Sequence, residues 1–206
     1  MTPYDVLRLK RHLNLRSGQF LDRYVIIEWE QEQLFPTYYL TMVDDGRASC
    51  VFVQPEGCTV YADRPGSCRA YPIGRGAARQ EQGPPIESLV LLREPHCRGF
   101  AESRQQNVGE YLRGQGLEEY NRFNDALLPL VQHPQLQAGT FRPSRKQLDQ
   151  YTLALYDLDQ FRRDMADGRV ALNHPMTPAQ LAGIAGDDQE LLLLGIRWLM
   201  QEFYGE

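Results

Sequence analysis

Residues 50–68 read CVFVQPEGCTVYADRPGSC, and this stretch decides the fold. Three of the four cysteines, Cys50, Cys58 and Cys68, lie within it, interrupted by Pro55, Gly57, Pro65 and Gly66. Glycine and proline at that density break long helices and strands, so the segment reads as turns and short extended pieces. It runs directly into Arg69-Ala70-Tyr71-Pro72, and the fourth cysteine, Cys97, follows a segment rich in glycine and proline. Nothing else in the chain combines reactive side chains with so many turn formers.

Working outward, Thr37 to Val43 (TYYLTMV) is aromatic and β-branched and predicts a strand. Asp44-Asp45-Gly46 marks a turn, and residues 48–53 predict the strand that pairs back. That places Cys50 in or beside a hairpin, with Cys58 just past the turn at 54–57. Residues 59–61 predict a further extended piece and 62–65 a single helical turn. The polar segment 74–85 carries Gly74, Gly76, Gly83 and two prolines, and is expected as a mobile loop or lid; residues 88–92 predict a strand.

The flanks are helical. Thr2 as cap, Pro3 at the first helical position and Asp5 in the first turn predict a helix over 3–13. Ser17 predicts the cap of a second, carrying Phe20, Leu21 and Tyr24. Helices are expected over 107–114 and 117–131, and Ser144 opens one continuous helix to about residue 166, with Leu148, Tyr151, Leu155, Leu158 and Phe161 on one face. Thr177-Pro178 starts another, and Asp187 or Asp188 caps the last. The expected class is α+β, mostly helical, with a small antiparallel sheet beside a cysteine cluster. A soft boundary at 134–143 divides it into a cysteine-bearing domain, 1–133, and a helical extension, 134–206, packed on it.

A chain of 206 residues buries roughly 70% of its unfolded surface and needs no staple merely to fold. Any metal would therefore order a subregion. The net charge of −5 argues against nucleic acid as the main partner, because phosphates require a basic surface. The start, MTPYDVLRLK, lacks the pattern of a secretory signal, and the longest apolar run, Leu191–Leu194, is far too short to span a bilayer. The expected compartment is the cytoplasm, where thiols stay reduced and clustered cysteines favour metal or redox chemistry over disulfides.

Four thiols suit a tetrahedral zinc site or an iron–sulfur cluster. The spacing, C-x7-C-x9-C-x28-C, contains no C-x-x-C knuckle, so by itself it leaves open four separate buried cysteines acting as small hydrophobes. Local chemistry favours ligation. Gly57, Gly66 and Gly99 let the backbone curl around a metal, and Arg64, Arg69 and Arg98 supply positive charge, which lowers thiol pKa. His96 is either a substitute ligand or a solvated neighbour of Cys97. His133 and His174 each precede a proline in loops, and His12 lies on the first helix. Tyr61 and Tyr71 line a pocket or pack a core.

These residues carry a resemblance. CVFV, GCTVY and RPGSCRAYP are similar to the signature of the YkgJ-type cysteine-cluster proteins, also described as CxxCxxCC or putative zinc- or iron-chelating domain proteins. The likeness extends to residues 2–24 and, downstream, to Cys97-Arg98-Gly99 and Asn107-Val108-Gly109-Glu110-Tyr111, covering roughly 2–125. It implies Cys50, Cys58, Cys68 and Cys97 as ligands of zinc or an iron–sulfur cluster, with Arg64, Arg69 and Tyr71, together with Pro65 and Pro72, shaping the cofactor site. Members usually carry a further C-x-x-C-C run just before the segment matching Thr2-Pro3-Tyr4-Asp5; here that run is absent. The resemblance therefore implies either a four-thiol site or one whose remaining ligands lie outside this sequence. Flagellin lysine N-methylases carry a related cysteine-rich domain, which implies methyl transfer or other cluster-dependent chemistry as an alternative. No methyl-donor pocket, phosphate loop, H-E-x-x-H or G-x-S-x-G motif is present. A protein-interaction domain without metal is the third reading.

Overall fold

Thr2 opens the first helix, α1 (Pro3–His12), with a reciprocal cap: its hydroxyl accepts from the Asp5 N–H, and the Asp5 carboxylate accepts from the Thr2 N–H at 2.7 Å. Helix α2 (Ser17–Tyr24) runs without a turn into β1 (Val25–Glu28), which pairs antiparallel with β2 (Thr37–Leu40), Ile26 opposite Tyr39. Two small hairpins follow: β3 (Met42–Val43) with β4 (Ser49–Cys50), and β5 (Val53–Gln54) with β6 (Gly57–Cys58). A 3-10 turn, Tyr61–Asp63, and the short helix α3 (Gly66–Ala70) lead to a longer hairpin, β7 (Ile73–Ala78) with β8 (Ile86–Leu91). Beyond the 3-10 turn Arg98–Ala101 the chain is helical: α4 (Val108–Gly114), α5 (Glu118–Ala126), α6 (Leu128–Val131), α7 (Pro134–Gln137), α8 (Arg145–Leu155), α9 (Leu158–Ala166), α10 (Pro178–Gly186) and α11 (Asp188–Tyr204). This computed structural model describes residues 1–30, 32–173 and 176–206. With 49% helix against 14% strand, and its sheets all two-stranded antiparallel hairpins among the described residues, the chain is α+β and mostly helical.

Four expectations are corrected. The strand at 37–43 divides at Thr41, whose N–H donates to the Tyr24 carbonyl at 2.8 Å; its first part pairs with β1 rather than with 48–53. Strand β1 escaped the sequence reading because no turn residue separates it from α2. The expected loop or lid at 74–85 is shorter, 79–85, because its first part is strand: Gly74 and Gly76 sit in β7 opposite Val90 and Ser88, where glycine reads as a breaker although pairing suppresses its freedom. Residues 59–61 are not extended but lead into the 3-10 turn, with Val60 buried. The single helix over 144–166 is two. Asp157 leaves helical geometry, caps α9 by accepting from the Gln160 N–H, and accepts the Ser17 hydroxyl at 2.6 Å.

The core is one cluster that takes side chains from both ends of the chain. Tyr4, Leu7, Leu9 and Phe20 share it with Phe123, Leu155, Phe161, Leu191 and Leu199. Tyr4 stacks on Phe123 with centroids 4.3 Å apart, and Tyr38 stacks on Tyr156 while its hydroxyl bonds that of Thr152 at 2.6 Å. Helices α8 and α11 cross so closely that a Cβ on Gly195 would collide with the Ala154 carbonyl oxygen.

One charged group is buried in this packing. Lys10, on α1, is 4% exposed, and its ammonium lies 2.8 Å from Asp159 and 2.9 Å from Asp188. Asp159 also accepts the Ser17 N–H and hydroxyl, and Arg162 reaches Asp188 at 2.6 Å. Burial pushes the Asp159 carboxyl up, but its bonds to Lys10 and Ser17 outweigh this and hold it at about 2. The clasp joins α1 and α2 to α9 and α11.

Two outcomes are expected. Gly195→Ala drives the α8–α11 crossing apart and lowers the unfolding free energy by about 1–3 kcal/mol in a urea titration. The Asp159 carboxyl is more acidic folded than unfolded, so its stabilising contribution is full above pH ~4 and is lost as pH falls toward ~2. Asp159→Asn is less stable than the parent at neutral pH, and its stability changes less between those two pH values, measured by denaturant unfolding across the range.

Candidate metal-binding thiols

Each cysteine sits on a different small element. Cys50 ends β4 opposite Met42, Cys58 ends β6 opposite Val53, Cys68 is central in α3, and Cys97 immediately precedes the 3-10 turn Arg98–Ala101. The turn before Cys58 depends on Gly57, whose φ of 124° lies in the region that favours glycine. Thr59 then fixes the hairpin, its N–H and hydroxyl both donating to the Phe52 carbonyl, at 2.8 and 3.1 Å.

Helix α1 positions the segment between Cys58 and Cys68. Asp5, Arg8 and His12 share one face of the helix. The buried Asp5 carboxylate accepts the Gly66 N–H at 2.8 Å, at the start of the cysteine-bearing α3. Arg8 donates to Asp63 at 2.8 Å, and the His12 ring bonds Asp63 at 2.8 Å and the Thr59 carbonyl at 3.2 Å. The sequence marks Asp5 as a helix-start residue, but nothing local shows that its second oxygen reaches a segment some sixty residues away, and Asp63 carried no signal at all.

Cys50 and Cys58 act electrostatically on Cys68. Burial pushes the Cys68 thiol above its ordinary range, and Cys50, Asp5 and Cys58 push it further, against a lowering bond from Ser67. The expectation that arginine lowers thiol pKa is therefore reversed at Cys68. The arginines are engaged elsewhere: Arg69 donates to the carbonyls of Arg64, Gln115 and Ala62, and Arg64 donates to the Tyr61 carbonyl and the Gln115 side chain while lying 3.9 Å over the Tyr61 ring. They brace the backbone around Cys68.

Cys97 keeps different company. Tyr71 bonds the His96 ring at 3.1 Å, and its hydroxyl is raised by the Glu94 carboxylate, by burial and by Cys97. Tyr71, Cys97, Phe100 and Tyr111 border an open hollow of about 690 Å³. Among the described residues, no three or more Cys, His, Asp or Glu side chains are arranged to hold a metal ion. His133 is buried, caps α7 by accepting the Gln135 N–H, and stacks on Tyr204; His174 lies outside the described residues. No helix among the described residues is long and apolar enough to cross a membrane.

Against family models, curated proteins and solved structures the chain gives no match.

Asp5→Ala leaves the Gly66 and Thr2 N–H groups without their acceptor. It costs about 1–3 kcal/mol of stability, and amide exchange at Gly66 accelerates. Hydrogen exchange read by NMR or mass spectrometry checks this; unchanged protection at Gly66 would remove Asp5 from the positioning role.

Proposed function

We propose that the chain binds zinc or an iron–sulfur cluster through Cys50, Cys58, Cys68 and Cys97, in a structural or electron-transfer role in the reducing cytoplasm. The observation that supports the reading is that Cys68, on a short helix whose first N–H bonds Asp5, is raised by Cys50 and Cys58 from two hairpins. Cys50 and Cys58 oppose ionisation of the Cys68 thiol, and a bound cation offsets this by taking the ligand as a thiolate. Cys97 joins the set on its donor chemistry and on the resemblance to YkgJ-type proteins. The same resemblance supports Tyr71 as a cofactor neighbour, and Arg64 and Arg69 as the frame that holds Cys68. Zinc would supply a closed tetrahedral thiolate site; an iron–sulfur cluster would supply one-electron chemistry.

The test is anaerobic purification followed by elemental analysis, visible absorption and thiol counting. About one zinc per chain in colourless protein supports a structural site, and brown protein with iron and acid-labile sulfide supports a cluster. Cys68→Ser is expected to lose most of the bound metal and to leave the C-terminal helices folded by circular dichroism. Metal-free protein that folds normally, with four titratable thiols, would overturn the assignment and favour the protein-interaction reading.

A further inference from the structure

Strand β8 is an apolar edge with nothing over it. All six of its residues are exposed, Val90 to 58%, and Leu92 continues the apolar run. The ladder fixes which backbone groups face outward. The Leu92 N–H donates to the Pro72 carbonyl at 2.8 Å, and the register sets Val90 against Gly74 and Ser88 against Gly76. In an antiparallel pair such bonded positions alternate, so the even-numbered residues of β8 face β7, and Glu87, Leu89, Leu91 and Arg93 present their N–H and C=O groups outward. The opposite edge of the hairpin confirms the parity. The outward Ala77 carbonyl and Arg79 N–H of β7 are both taken by the Gln132 side chain, at 3.1 and 2.7 Å. The hairpin is thus capped along β7, and no backbone bond covers the β8 edge among the described residues.

Natural edge strands are usually protected by proline, lysine, a bulge or an inward charge, and residues 88–92, SLVLL, carry none of these. We propose that β8 pairs antiparallel with β8 of a second copy of this chain, joining two hairpins into a four-stranded sheet across a two-fold axis. The charges select the register. Outward groups must meet outward groups, so opposing residue numbers sum to an even value. With the axis at Val90, Leu89 faces Leu91 of the second copy, Ser88 faces Leu92, and Glu87 faces Arg93. By symmetry this creates two cross-strand ion pairs flanking an apolar centre. Moving the axis to residue 89 sets Glu87 against Leu91, and moving it to residue 91 sets Arg93 against Leu89; neither joins the charges. In the single chain Glu87 lies 3.4 Å from Arg75 of β7, on the side away from the partner, and Arg93 packs over the Phe100 ring at 5.2 Å, so both side chains turn from these contacts to form the cross-strand pairs. A lone two-stranded hairpin is marginal in water, and four strands are not.

The test is sedimentation equilibrium or light scattering over a range of concentrations on the full chain. The expected result is a concentration-dependent dimer. Val90→Lys, which sets two ammonium groups together on the axis, makes it monomeric without loss of helix by circular dichroism. Glu87→Arg and Arg93→Glu each weaken the dimer several-fold, and the double variant, which restores opposite charges across the axis, recovers it. A parent chain that stays monomeric at every concentration overturns the proposal, as does a dimer indifferent to Val90→Lys or a charge-swapped double variant no tighter than the single reversals.

Discussion

The Lys10 ammonium between Asp159 and Asp188 is the interaction on which the arrangement of the chain turns. A charge this deep in the protein requires partners at close range, and both lie in the C-terminal helices, so burying it forces α1 and α2 against α9 and α11. Ser17 enforces the same geometry from α2 by bonding Asp159 and Asp157, the latter the residue that interrupts what would otherwise be one long helix. Apolar packing supplies most of the stabilisation, with Tyr4, Leu9 and Phe20 meeting Leu191, Leu199 and Phe161 in one core. The charged clasp adds specificity, because a sliding of the helices would leave an ammonium or a carboxylate buried alone.

Helix α1 therefore has two duties. One side of it is committed to the clasp; the other holds residues 59–66 through Asp5, Arg8 and His12. The thiols depend on this. Two-residue strands and a five-residue helix have little stability of their own, and long-range bonds to a buried helix fix the segment between Cys58 and Cys68. The arginines in this region act on the backbone: Arg69 gathers three carbonyls and Arg64 stacks on Tyr61, which stiffens the turn that carries Cys68.

Much of the secondary structure was legible because its signals are local. Thr2, Asn107, Ser144 and Thr177 each accept from the backbone N–H three residues on, with Asp5, Glu110, Gln147 and Gln180 reciprocating, and Asp187 caps the final helix. Each cap is complete within one turn of chain. Where the reading failed, the deciding partner was distant. Gly74 and Gly76 look like loop residues until β8 pairs with them, and Asp157 looks helical until Ser17 meets it. The positive charge beside the cysteines looked like a means of lowering thiol pKa, but the guanidinium groups bond carbonyls, and burial, Cys50 and Asp5 raise the Cys68 thiol.

By itself the sequence determined the α+β class, the helix starts and the segment that carries the thiols, because capping, hydrophobic periodicity and turn chemistry act over a few residues. Tertiary structure alone decided the surroundings of the thiols. Contacts from Asp5 to Gly66 and from Arg8 to Asp63 hold the turns before Cys68 against α1, whereas Cys97 lies with Tyr71 and His96. Linear spacing cannot encode such an arrangement: it is set by bonds between residues about sixty positions apart, and those form only once the buried core has brought the two segments together.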